Sequence, residues 1–155
     1  MTSGGFHIVL VAPEIPPNTG TTARLCAATN TTLHLVGPLG FSLENRYLRR
    51  AGLDYWPHVD LHIYPDWDRF LTARSGAKLH FFSARATRPY TSVRYEPNDY
   101  LVFGSETRGL PAALLECFAE QTYTIPMSGS HVRSLNLANA AAIVLYEALR
   151  QVESA

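Results

Sequence analysis

Apolar residues recur along this chain in short blocks separated by polar, helix-forming stretches. Four blocks, at 6–11 (FHIVLV), 33–36 (LHLV), 79–83 (LHFFS) and 100–103 (YLVF), are rich in β-branched and aromatic residues. They are too short for helices and end near Pro, Gly or polar residues, which predicts buried strands. Residues 59–64 alternate as VDLHIY, and 121–125 carry the last strand-like run, QTYTI. Between these blocks, 21–28, 42–50, 66–73 and 112–119 have helical composition, with Thr19 or Thr21 and Ser42 as candidate caps. In front of the first helix, Asn18-Thr19-Gly20 reads as a turn. Strand and helix alternate throughout. That pattern predicts an α/β fold with a mainly parallel sheet and helices on both faces.

The last helix has a different character. After Asn136 the chain becomes almost wholly apolar, and Asn139 is the only polar residue between Leu137 and Leu145. Ala and Leu at that density favour helix, and Asn136 or Ser134 suits its N-cap. A helix apolar all round is expected to be buried on every side. In so short a chain this calls for neighbours on both flanks, a second subunit among them.

Composition narrows the choices. With 46% hydrophobic and 17% charged residues, the chain has material for a core and no signature of disorder. One domain over 6–155 is expected, behind a flexible tail of residues 1–5 that lacks the basic start and apolar stretch of a signal peptide. No apolar run reaches the roughly 18–20 residues of a membrane span. Cys26 and Cys117 are too few for a disulfide framework or a zinc site, which suits a reducing cytoplasm. His58 and His62 lie on a predicted strand, so no metal site is expected.

Formal net charge is zero, with 13 basic and 13 acidic side chains, so any nucleic-acid affinity must come from local patches. Arg46, Arg49 and Arg50 share one helix face at i, i+3 and i+4. Arg85 and Arg88 form a second cluster beside Pro89 and Tyr90. Each group fits either a solvated face or a phosphate-binding patch.

Three post-strand loops hold the candidate chemistry: Asn18, Gly20 and Arg24; then Gly104, Glu106, Arg108 and Gly109; then Arg133, Ser134 and Asn136. In a parallel sheet all three open at one edge, where such folds bind ligands. Gly104 and Gly109 would let the backbone approach a ligand and offer it free amides, or they serve turns only. The phosphate-loop, dinucleotide-binding and nucleophile-elbow signatures are all missing from the sequence.

Taken together, Asn18-x-Gly20-x-x-x-Arg24, the run LVFGSETRGLP at 101–111, and Ile125-Pro-Met127 with RSLNL at 133–137 resemble the three motifs of the SPOUT-class RNA 2′-O-methyltransferases. The resemblance spans essentially the whole chain, including PEIPPNTG and LRRAGLDYW, and is strongest to the small branch acting on the wobble nucleotide of tRNA. One departure is Thr21, where that family usually has Asn.

The resemblance implies a deep C-terminal trefoil knot, a homodimer, a tRNA substrate and S-adenosylmethionine as cofactor. By position, Phe82, Gly104, Gly109, Leu110, Ile125, Ser134 and Leu135 would contact that cofactor. It implies a proton-accepting role for Arg24 helped by Ser134, with Asn18, Glu106 and Asn136 in support. A guanidinium of pKa above about 12 resists deprotonation. Arg24 could instead hold the phosphate beside the target ribose and orient its hydroxyl. Two alternatives stay open: methylation of another RNA site or base, as in a guanine-N1 branch with an aspartate base and a C-terminal extension, or RNA binding without catalysis.

Overall fold

The structure, a computed structural model, describes residues 5–51 and 55–154. Of the expected N-terminal tail, only Gly5 falls within it. Six strands form one sheet: β1 (His7–Val11), β2 (Thr32–Val36), β3 (Leu61–Tyr64), β4 (Leu79–Phe82), β5 (Tyr100–Phe103) and β6 (Thr122–Tyr123). Their order is β3-β2-β1-β5-β4-β6, and every neighbouring pair is parallel.

Side-chain alternation sends each strand's apolar residues to two layers. Ile8, Leu10, Leu33, Leu35, Leu101 and Phe103 pack with α1 (Pro16–Thr29) and α5 (Leu137–Ser154). Val9, Val11, Val36, Phe81 and Val102 pack with α3 (Trp67–Ala73) and α4 (Ala112–Cys117) on the other face. Strands covered on both sides read as continuous apolar runs, which is why they were legible. From β1 the order runs to β2 on one side and β5 on the other. The crevice beyond β1 and β5 is thus the switch point where such sheets bind ligands.

Several boundaries differ from expectation. Helix α1 begins at Pro16, so Asn18, Thr19 and Gly20 are helical and the expected turn is absent. Proline at the start of a helix loses no intrahelical bond, and neither Thr19 nor Thr21 is the cap. Helix α2 (Arg46–Ala51) starts later than Ser42. Asn45 caps it, its Oδ1 accepting from the Tyr47 amide at 2.8 Å. Residues 56–58 form a 3-10 turn, and β3 starts only at Leu61. Asp66 caps α3, taking the Arg69 amide at 2.8 Å.

Helix α5 leaves open one of the two flanks for which neighbours are expected. Ala141, Val144, Leu145 and Ala148 are fully buried, whereas Ile143 and Tyr146 stay 37% and 56% exposed. A single chain covers one face only. The helix returns from edge strand β6 to lie over β5 and against α1, a path compatible with the implied knot.

On the α3 face, four polar side chains form a relay. Arg74 Nε donates to Tyr64 Oη (3.0 Å), Tyr64 Oη meets His34 Nδ1 (3.0 Å), and His34 Nε2 meets His7 Nδ1 (2.9 Å). With the phenol donating to His34, and His34 to His7, both rings are satisfied while neutral. Burial lowers His7 from 6.5 to about 4, and burial then the neighbouring His7 lower His34 to about 2. The unfolded chain therefore takes up protons near pH 6.5 that the folded chain refuses, so stability present at neutral pH is lost as pH falls below 6.5. Urea midpoints are expected to drop steadily between pH 7 and pH 5, before carboxylates titrate. Midpoints that stay flat over that interval would contradict the neutral relay.

Candidate active site

The site lies beyond the C-terminal ends of β1, β4, β5 and β6. Ala12, in the left-handed region at φ 52°, turns the chain out of β1. The chain then passes Pro13 and Glu14 and enters α1. The N-terminus of α1 lacks the usual acceptors: its N-cap is Ile15, and no acidic residue stands in its first turn. Glu106, from the loop after β5, takes that place. Its carboxylate accepts the amides of Glu14 (2.7 Å) and Ile15 (2.9 Å) and the Asn18 Nδ2 (3.2 Å). A carboxylate there satisfies orphan donors and complements the helix dipole.

The brace is reciprocal. Glu14 accepts from the Thr107 amide (3.0 Å) and hydroxyl (2.7 Å), and these bonds hold its carboxyl below the usual carboxylate range. On its other side Asn18 Oδ1 accepts from Asn136 Nδ2 (3.0 Å), while Asn136 Oδ1 caps α5 through the Asn139 amide (3.1 Å). Glu106, Asn18 and Asn136 thus form one hydrogen-bonded line joining the three loops singled out in the sequence. Ser134, the other candidate cap of α5, is not the cap.

The second and third of these loops, with the end of β4, enclose a cavity of about 430 Å³, and the first loop contributes no residue to its wall. Its wall includes Phe82, Gly104, Gly109 and Leu110 from the β4 and β5 ends, and Ile125, Ser134 and Leu135 from the segment before α5. All seven cofactor candidates therefore line one space. Phe82 stacks on Phe103 (centroids 5.2 Å) beneath it. Arg85, Arg108 and Arg133 stand around it with Glu106. A volume in the range of small-molecule pockets, with apolar walls and a few polar groups, suits a nucleoside-sized ligand.

The glycines work differently from expectation. A Cβ on Gly104 would stand 2.1 Å from the Gly109 carbonyl carbon and 2.2 Å from the Leu110 amide nitrogen. Gly104 yields space to the chain's own backbone, not to a ligand. Gly109 is needed for its φ of +69°. Nor are the loop amides free: Ser105 and Gly109 bond each other's carbonyls at 3.2 and 2.9 Å, and Arg108 donates to Ser105 Oγ at 3.2 Å.

Arg24 is not part of the cavity wall. It sits about two turns into α1, exposed, with its guanidinium carbon 5.0 Å from the centre of the Tyr55 ring. It stands deeper in the helix than the expected span of 21–28 would put it, because α1 starts at Pro16. Arg46, Arg49 and Arg50 are all exposed on α2, which packs on α1. Arg46 lies over Tyr47, and Arg49 is 3.5 Å from Glu44. Arg88 is committed elsewhere: it lies over Tyr123 (4.6 Å) and donates to the carbonyls of Ala119 and Glu120. It braces that corner. Glu14, Thr107 and Tyr55 were not singled out by sequence, because their partners lie far away in the chain.

Residues 5–146 match the SpoU rRNA Methylase family. The chain belongs to that family. A tRNA (cytidine(34)-2'-O)-methyltransferase of Burkholderia ambifaria is 48% identical, over 94% of this chain and 95% of its own. A solved structure concerned with 2-OH methylation of C/U34 on tRNA superposes with TM-score 0.93 at 48% identity, covering 98% of this chain and 99% of that one. An AdoMet-bound rRNA methyltransferase from Sinorhizobium meliloti superposes with TM-score 0.84 at 26% identity, over 96% of this chain and 57% of that one. The parallel α/β architecture is thus that of the SpoU methylases. Among the described residues, no helix is long and apolar enough to cross a membrane.

Proposed function

We propose that this SpoU-family chain is an enzyme that methylates the ribose 2′-hydroxyl of the wobble nucleotide of tRNA, cytidine or uridine 34. S-adenosylmethionine is its donor. The observation that carries the reading is the line Glu106–Asn18–Asn136, which ties the three motif loops together beside a cavity walled by the second and third of them. The full-length likeness to wobble-ribose methyltransferases supports the same substrate.

The cavity residues fit the donor. Phe82, Leu110, Ile125 and Leu135 present apolar surface to a nucleoside, and Ser134 is left for its polar groups. When bound, it would supply a sulfonium methyl to the ribose oxygen, its sulfur leaving as a neutral thioether and the hydroxyl proton passing to solvent. The braced loops hold this geometry, and alignment in a dry site supplies much of such an acceleration. Ser134, at the cavity wall, would accept a hydrogen bond from the hydroxyl. Arg24 contributes a fixed positive charge that anchors the adjoining phosphate and steadies the developing oxyanion.

Since Arg24 lies outside its own chain's cavity, we read the working unit as a homodimer in which one subunit's Arg24 serves the other's cavity. The uncovered Ile143 and Tyr146 of α5 support a partner. Arg46, Arg49 and Arg50 then form the tRNA-docking surface, with Arg85 at the cavity mouth.

Incubation with bulk tRNA and labelled donor, followed by nucleotide mapping, tests the reaction. The methyl is expected on the ribose of nucleotide 34. Label on a base, or at another position, would refute the assignment.

A further inference from the structure

The Arg24–Tyr55 contact has a consequence for catalysis. Tyr55 precedes the 3-10 turn Trp56–His58, which lies against α1. Trp56 anchors the turn, packing against the core cluster beneath α1 and α5. The turn is closed by the backbone, with the Tyr55 carbonyl accepting the His58 amide at 2.8 Å. Neither anchor uses the Tyr55 ring. That ring is half-buried and faces the Arg24 guanidinium at 5.0 Å.

Arg24 needs such a support. It is an exposed side chain with four rotatable bonds, and no described residue hydrogen-bonds it or pairs with it. An unsupported arginine samples many rotamers, and ordering it during the reaction costs entropy. An aromatic face holds a guanidinium by cation–π attraction without consuming its donors. The N–H edge stays available for an anionic partner. A hydrogen-bonding support would have spent those donors and neutralised the charge.

We propose that Tyr55 is a positioning residue for the methyl-transfer step: its ring holds the Arg24 guanidinium ready to meet the RNA. This rests on the proposed catalytic role of Arg24. Tyr55 touches neither cofactor nor reacting atoms, and acts only through Arg24.

The test compares Tyr55→Phe, Tyr55→Leu, Arg24→Ala and the double variant Arg24→Ala/Tyr55→Leu in single-turnover methylation of tRNA at saturating donor. Donor and tRNA affinities and melting temperature are measured in parallel. Tyr55→Phe keeps the aromatic face and should stay within about twofold of the native rate, whereas Tyr55→Leu should lose roughly tenfold. Both affinities and the melting temperature should hold. In the Arg24→Ala background the leucine should cost nothing further, because the group it positions is gone.

Three results would overturn the proposal. A native rate for Tyr55→Leu, with Arg24→Ala inactive, removes Tyr55 and leaves Arg24 standing. A tenfold loss that persists in the Arg24→Ala background makes Tyr55 a structural residue. Full activity of Arg24→Ala removes the catalytic reading itself and this proposal with it.

Discussion

Arg24→Ala is expected to lower the single-turnover methylation rate by several orders of magnitude while leaving donor affinity nearly native. The separation follows from position: the cavity is walled by the β4 and β5 ends and the 124–137 segment, and Arg24 projects from α1 outside that wall. Deleting it removes no cavity surface. It removes a charge where negative charge develops or a phosphate docks, and single preorganised groups of that kind are worth about 10²–10³ in rate, more when they also align the nucleophile. Charge removal at Arg49 should act differently, weakening tRNA binding and lowering the log–log salt slope by about 0.7–0.9 per lost contact.

A mixed dimer decides which cavity Arg24 serves. An Arg24→Ala chain keeps a sound cavity, and a Ser134→Trp chain keeps Arg24 but has a blocked cavity. If arginine and cavity come from different subunits, each mixed dimer holds one intact site, and doubly tagged, co-purified dimers regain activity. If both come from one chain, the mixture stays inactive. Unimpaired methylation by Arg24→Ala would end the catalytic assignment altogether.

What could be read beforehand followed the physics of each signal. Strands buried on both faces carry a dense local signature, so β1, β2, β4 and β5 were found almost to the residue. The seven residues expected from the resemblance line one cavity because two of the motif segments, after β5 and before α5, meet at the end of β4, where Phe82 stands. The start of α1 was misplaced because its N-terminal acceptor, Glu106, lies 91 positions from Ile15, and no local cap marks the boundary. For the same reason Glu14 and Thr107 looked like ordinary loop residues, although they bond across 93 positions. Apolar composition also cannot say which face of α5 its own chain covers. Ile143 and Val144 are adjacent and alike, yet one is 37% exposed and the other fully buried. A charge at Val144 therefore strikes the core, and at Ile143 only the outer face.

Gly104→Ala should be among the most disruptive single-atom additions this chain can receive. The new Cβ would meet the Gly109 carbonyl carbon at 2.1 Å, the Leu110 nitrogen at 2.2 Å and the Gly109 oxygen at 2.5 Å. All three are backbone atoms, so no side-chain rotation can make room. Relief requires the 105–109 turn to open, which breaks the paired bonds between Ser105 and Gly109. Glu106 sits within that turn, so its displacement strips the acceptor from α1 and unlinks Asn18 from it. Overpacking of this kind costs about 3 kcal/mol or more, which in a domain of this size lowers the melting temperature by roughly 6–12 °C. Donor affinity should fall at least a hundredfold, because Gly109 and Leu110 form the cavity wall. Gly109→Ala is the matched control. Its Cβ would enter open space, and it pays only for the left-handed φ of +69°, a strain of about 1–2 kcal/mol. Calorimetric titration and thermal melts of the two variants rank them. A Gly104→Ala protein that melts no lower than Gly109→Ala and still binds the donor would show that the 104–110 contact is looser than the structure has it, and that Gly104 serves the ligand after all.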